Sequence, residues 1–380
     1  MNSHKGSCEL GLSRKSRSGE EEEEEDRLSH LPEPILHHIL SFLDTKSAVQ
    51  TCVLSRLWRC AWKGVPVLDL SFRSFQQYPT FRRFVSNALS LRYNLNLRKV
   101  TYLNEDQHHD VYSGDVSMSV EVIQYALTHD AQHLVIKLEN FGKLNGSDRF
   151  SNLFGTILNC NLKTLELRYA CIDSGLGSCG FQLLTTLSLR LCSLASDQHE
   201  DFFSSFPSLK NLVLIRCKRV DDNGLKISGA QLLSLKLEYM KCFKMEIFAP
   251  RLKFFSLLHK LESLSSIKLS IPSLDHAAIL LDDWYNNAGE YKVRVAQRLI
   301  PLFQGLNNAT SLTLDLRSIE VLSNISVLLA EQPSPFTRLK SLIVTTYSEQ
   351  DSVPNELVNY FLKGSSSLNP NVEFVRSNFF

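Results

Sequence analysis

The sequence predicts a multi-domain chain: a small all-α unit of three helices, then an α/β domain of short repeated strands. Three observations predict it. Between residues 31 and 44, LPEPILHHILSFLD places Ile35, Leu36, Ile39, Leu40 and Leu43 at i, i+1, i+4, i+5 and i+8, one broad apolar stripe on a short helix. From residue 162 onward a motif LxxLxL returns in register. The chain has 380 residues, 43% of them hydrophobic, enough for two or more domains and a large core.

Residues 1–25 form the expected tail, rich first in Ser, Gly, Lys and Arg and then in Glu. The run EEEEEED at 20–26 cannot bury itself and is expected to stay solvated. Residues 26–72 read as three short helices. Pro32 and Pro34 stand at the mouth of the first, where a missing N–H costs nothing. Asp44 and Thr45 offer caps for a second helix holding Ala48, Val49, Cys52 and Val53. Ser55 is the expected cap of a third, RLWRCAW, in which Trp58, Ala61 and Trp62 share a face, and Pro66 closes the unit. Phe42 adds a second apolar direction to the first helix, so one neighbouring helix leaves part of it uncovered.

The stretch DRLSHLPEPILHHILSFLDTKSAVQTCVLSRLWRCAW resembles the F-box that heads many plant F-box/leucine-rich-repeat proteins. The resemblance rests on Leu31–Pro32, the ILSFLD helix end, the VLS turn at 53–55 and Trp58. Leu57 departs from it, since such sequences carry Arg or Lys there, and Pro34 replaces a commoner acidic residue. The resemblance implies a non-catalytic subunit of an SCF-type ubiquitin ligase, docked through a Skp-family adaptor on a cullin-RING assembly. It also implies the adaptor contacts Leu31, Pro32, Ile35, Leu36, Ile39, Leu40, Val53, Leu54 and Trp58. A repeat scaffold whose F-box assembles no ligase is the competing expectation.

Residues 73–94 are expected to connect this unit to a leucine-rich-repeat domain spanning 95–380. Its clearest copies are LKTLELRYACI at 162, LTTLSLRLCSL at 184, LKNLVLIRC at 209 and LLSLKLEYM at 232, stepping by 22, 25 and 23 residues. That period is the signature of a stacked solenoid, a curved horseshoe with one strand per unit around a shared leucine core. Weaker copies stand at LRKVTY (97), AQHLVI (131), LKFFSL (252), LSSIKL (264), ATSLTL (309) and LKSLIV (339). Residues 275–308 break the period and read as an irregular insert: LLDDWYNN as an acidic loop, then a helix with Val295, Leu299, Leu302, Phe303 and Leu306 on one face around Pro301.

Side chains alternate along a strand, so residues between the leucines face outward on the expected concave surface. These are Thr164, Glu166, Arg168, Thr186, Ser188, Arg190, Asn211, Val213, Ile215, Ser234, Lys236, Glu238, Thr313, Asp315 and Arg317. Their mixed charge suits a protein or peptide substrate. Cys192 and Cys217 hold the ninth place of their units and Cys171 lies one beyond it, where an inward thiol is structural.

A net charge of +1 gives no general basic field, so direct binding of nucleic acid is not expected. With no apolar leader or run of eighteen apolar residues, and nine cysteines without a CxxC pair, the protein is expected inside the cell, in nucleus or cytoplasm, with free thiols and away from membranes. Arg14, Lys15 and Arg17 read first as solvated tail residues, with a weak nuclear signal as the alternative, and the sequons at Asn145, Asn308 and Asn324 are chance matches. No phosphate loop, HExxH or GxSxG occurs. His37–His38 and His108–His109 are adjacent pairs, whose side chains diverge by about 100° on a helix, so no metal or cofactor is expected.

Overall fold

The computed structural model describes residues 31–104, 116–138, 160–172, 180–194, 201–219, 224–242, 244–260, 266–281, 289–346, 353–365 and 371–376. The expected tail, His108–His109, Asn145 and residues 282–288 of the expected insert lie outside them. Among the described residues, no helix is long and apolar enough to cross a membrane.

The helix Glu33–Leu40 begins at Pro32 and accommodates Pro34 in its first turn. Asp44 then caps Thr45–Gln50, its carboxylate accepting from Ser47 N at 3.0 Å and Ser47 Oγ at 2.7 Å. A short turn at Thr51–Val53 leads to Trp58–Ala61 and a further turn at Trp62–Gly64. Ser55 does not cap by its hydroxyl; its carbonyl accepts from Arg59 N at 3.2 Å. Leu36, Leu40, Ala48, Trp58, Ala61, Trp62 and Val65 form a separate small core.

Among the described residues twelve parallel strands follow, each hydrogen-bonded to the next of the set. They are Val67–Ser71, Lys99–Asn104, His133–Leu138, Thr164–Arg168, Thr186–Arg190, Asn211–Ile215, Ser234–Glu238, Phe254–His259, His276–Leu281, Ser311–Asp315, Ser341–Thr346 and Asn371–Arg376. The leucines of the repeat are in phase: Leu165 pairs with Leu187, Leu187 with Leu212 and Leu212 with Leu235, and all are buried. Behind the sheet, helices such as Tyr78–Leu91, Val116–Thr128 and Gly289–Gly305 belong to the same core.

One step recurs at the end of four consecutive strands. Tyr169, Leu191, Arg216 and Tyr239, the eighth residues of their units, take φ of 59°, 55°, 51° and 48°. This left-handed conformation is costly for a side chain with a Cβ, on the order of 1 kcal/mol or more. Each residue then gives its N–H to a carbonyl at the end of the next strand: Arg190 O at 3.0 Å, Ile215 O at 2.7 Å, Glu238 O at 2.7 Å and, one residue before the strand's end, Leu258 O at 2.8 Å. The turn sends the ninth side chain inward. Cys192 Sγ donates to Arg190 O at 3.3 Å and Cys217 Sγ to Leu189 O at 3.3 Å, both thiols fully buried. Burial pushes the Cys192 thiol well up, so it stays protonated. Cys171, one place beyond, is half-buried.

The sheet begins at Val67, and the helix Tyr78–Leu91 lies between its first two strands. Val67–Ser71 pairs with Lys99–Leu103, so VLDLS already supplies the alternation a ladder strand requires. The expected insert also opens with a true ladder strand, His276–Leu281, whose inward position Ala277 replaces the motif leucine. LSSIKL instead forms Ser266–Ser270 in a second, three-stranded sheet with Leu225–Ser228 and Lys244–Phe248. Helix Gly289–Gly305 buries Val295, Leu299, Leu302 and Phe303 as the spacing predicts, with Leu306 buried just beyond it. Pro301 and Gln297 are both exposed, so the missing N–H falls on the solvent side. Gly305 is required by close packing, since a Cβ there would stand 2.9 Å from Leu269 Cβ.

The in-phase leucines should dominate stability. Truncating Leu167 or Leu189 to Ala is expected to cost about 2–5 kcal/mol each, measured by chemical denaturation. Losses below about 1 kcal/mol would contradict the shared core.

Candidate functional site

Two surfaces collect the residues expected to bind partners. On the first helix the broad apolar stripe divides. Leu36 and Leu40 turn inward with Trp58, each 4% exposed or less, whereas Ile35 and Ile39 keep 46% and 37% of their surface. Leu31 packs at the edge of the small core and Pro32 is exposed. Val53 and Leu54 are 87% and 54% exposed. The structure thus gives the expected contacts two jobs: Leu36, Leu40 and Trp58 build the unit, and Pro32, Ile35, Ile39, Val53 and Leu54 face outward.

Sequence reasoning assigned no contact to Phe42, Leu43 or Leu57, all exposed. The signal for Phe42 was its position off the main stripe, and for Leu57 the absence of the usual basic residue. Seven of the seventeen exposed large apolar side chains among the described residues lie between 35 and 57, so the exposure is concentrated on this small unit.

The unit is anchored to the ladder by its polar groups. Thr45 Oγ1 accepts from Asp69 N at 2.9 Å in the first strand. Arg92, from the segment after helix Tyr78–Leu91, donates to the carbonyls of Trp62 and Val65. Lys46 reaches Ser74 O and stands 4.4 Å from the centre of the Phe75 ring. Burial, then Asp44, raises the Asp69 carboxyl above its usual range, while Lys99 opposes the rise.

The second surface is the outward face of the sheet. Thr164, Thr186, Asn211 and Ser234 align in one row, with Asn211 Nδ2 donating to Thr186 Oγ1 at 3.3 Å. In the next row lie Glu166, Ser188, Val213 and Lys236, and in the third Arg168, Arg190, Ile215 and Glu238. Glu166 stands 3.3 Å from Lys137 and 3.7 Å from Arg190, and Lys236 pairs with Glu238 at 2.7 Å. Arg168 lies 5.2 Å from the Tyr169 ring centre. Thr313 shares the middle row with Ala278 and Ile343.

Asp315 and Arg317 are exceptions. Asp315 ends its strand and caps the helix Leu316–Ser323, accepting from Ser318 N at 2.9 Å. Arg317 therefore sits on that helix rather than on a strand, because the cap starts a helix two residues earlier than alternation assumes. Conversely, weak copies hid Lys99, His133, Phe254, Leu258, His276 and Leu280, all of which point to the same side. His133 Nδ1 lies 3.0 Å from Thr164 Oγ1, and burial, then Lys163, Lys99 and Arg98, lowers its pKa. Burial lowers that of His276 also.

A compact helical head joined to a parallel ladder with one phased strand per leucine unit defines an F-box protein with leucine-rich repeats, and the F-box domain family matches residues 28–70. The chain is similar to a putative F-box/FBD/LRR-repeat protein of Arabidopsis thaliana, 28% identical over 372 residues, 86% of this chain and 70% of the relative. F-box/LRR-repeat protein 25 of the same plant is 30% identical over 240 residues, 61% of this chain and 85% of the relative. F-box/LRR-repeat protein 13 is 31% identical over 232 residues, but they cover 44% of that relative. The chain belongs to the plant F-box/LRR-repeat family.

The two jobs within the head are separable. Leu36→Ala should destabilise the free protein by about 2–5 kcal/mol, whereas Val53→Ser should stay within about 0.5 kcal/mol. Urea denaturation monitored by tryptophan fluorescence compares them, and similar losses would contradict the division.

Proposed function

We propose that the protein is the substrate-recognition subunit of an SCF-type cullin-RING ubiquitin ligase. Its F-box docks on a Skp-family adaptor through Leu31, Pro32, Ile35, Ile39, Val53 and Leu54, extended by Phe42, Leu43 and Leu57. Leu36, Leu40 and Trp58 support that face from within. The ladder bends as a horseshoe solenoid and holds a protein substrate on its outward, concave face. The observation that carries this reading is the concentration of exposed apolar side chains on a domain too small to leave them uncovered without a partner.

Such a subunit needs no catalytic group. Holding a substrate lysine near a charged conjugating enzyme raises effective concentration, which is the whole of its contribution. Neither a membrane nor nucleic acid enters the reading, and its place is the nucleus or cytoplasm.

Adaptor capture tests it. Val53→Asp with Leu54→Asp should weaken capture by more than about thirtyfold, the equivalent of about 2 kcal/mol, without changing thermal melting. A wild-type chain that captures no adaptor would instead leave a repeat scaffold that assembles no ligase. The sheet face should act independently: Arg168→Glu with Arg190→Glu, neighbours about 4.8 Å apart in register, should reduce capture of substrates while adaptor capture and melting stay unchanged. Unaltered capture of the same substrates would move recognition away from these two strands.

A further inference from the structure

The outward face of the ladder changes chemistry along its length. At the end nearest the F-box, Lys99 opens its strand on that face, while Arg98 and Lys163 directly precede their strands along the adjoining edge, all three exposed. Among the described residues no ion pair reaches these three; Lys163 donates only to the Gln132 side-chain amide oxygen, at 3.1 Å. Lys99, His133 and Thr164 stand side by side in register on three adjacent strands, with Arg98 and Lys163 one residue before them, which gathers the three charges at one end of the ladder. Further along the same strands Glu166 is outnumbered by Lys137 and Arg190, both of which it already serves. The carboxylate of Asp69, on the neighbouring first strand, acts on Lys99 without forming a salt bridge and is shared among three cations, so an incoming anion relieves their mutual repulsion.

Past the strand Ser234–Glu238 the face turns apolar. Phe254 is 56% exposed, with the His276 ring centre 6.3 Å away. Leu258 and Leu280 pair in the third row, half-buried. Between these rows lie only Ser256 and Ala278. Small residues flanked by an aromatic on one side and leucines on the other make a furrow able to seat an apolar side chain.

We propose that the substrate is recognised through one extended segment, acidic at the end that meets Arg98, Lys99 and Lys163 and apolar or aromatic at the end that enters the furrow beside Phe254, Leu258 and Leu280. The idea rests on the reading of this face as the substrate surface and adds the chemistry of what it takes. Six strand spacings separate Lys99 from Phe254 in the ladder. At about 4.8 Å each they span roughly 29 Å, the reach of about nine extended residues. Acidic and apolar residues must therefore be separated by about that distance in the substrate.

The test is selection of a displayed random peptide library, each member about sixteen residues long, on the immobilised full chain. Selected peptides should carry Asp or Glu about nine residues from Phe, Leu or Trp. Selection on Lys99→Glu with Lys163→Glu should lose the acidic enrichment and keep the apolar one, and Phe254→Ser should do the reverse. Synthetic selected peptides should bind each variant at least about tenfold more weakly, by fluorescence anisotropy, with thermal melting unchanged. Peptides enriched in neither feature, an empty selection, or enrichment that survives both sets of substitutions would overturn the proposal. Adaptor capture by the same proteins is measured in parallel; its loss would count against the ligase reading and leave the peptide result standing.

Discussion

The fold depends on the leucines staying in phase across a parallel ladder. A strand in such a sheet satisfies its backbone only through its neighbours, and it stays in register only while its inward side chains meet a buried surface. A slip of one residue at Thr164–Arg168 would turn Leu165 and Leu167 to solvent and bring Glu166 into the core. The left-handed residue after the strand completes the unit. It ends the alternation, hands an N–H to the next strand and directs Cys192 or Cys217 inward, where each thiol donates to a backbone carbonyl. Both requirements concern only inward groups and backbone, so they leave the outward positions unconstrained.

The F-box works under a different constraint. Its small core of seven buried apolar residues leaves a short helix divided lengthwise between packing and exposure. The unit meets the first strand and the segment after its helix through the polar groups of Thr45, Lys46 and Arg92 and through Val67, which packs on the small core.

Much of this was legible in the residues. Four copies of LxxLxL in step required a ladder, and the ninth-place cysteines turned inward as their position implied. The spacing of Val295, Leu299, Leu302 and Phe303 required a helix despite Pro301, and the helix formed with the proline toward solvent. What failed did so for physical reasons. A strand with Ala277 in a leucine's place looks like a gap to a motif but not to a core that fills the space from behind. Ile35 and Leu36 are both apolar and adjacent, so the pattern could mark the stripe but not say which edge of it the domain would keep for itself. Asp315 showed that a capping side chain overrides alternation.

The central claim is that the head carries a docking face distinct from the sheet, and amide hydrogen exchange of the full chain with and without a Skp-family adaptor tests it most directly. The account predicts slowed exchange in residues 31–62 on adding the adaptor, and unchanged exchange in the strands from Thr164–Arg168 to Ser341–Thr346. Protection centred on those strands, or none within the head, would contradict it.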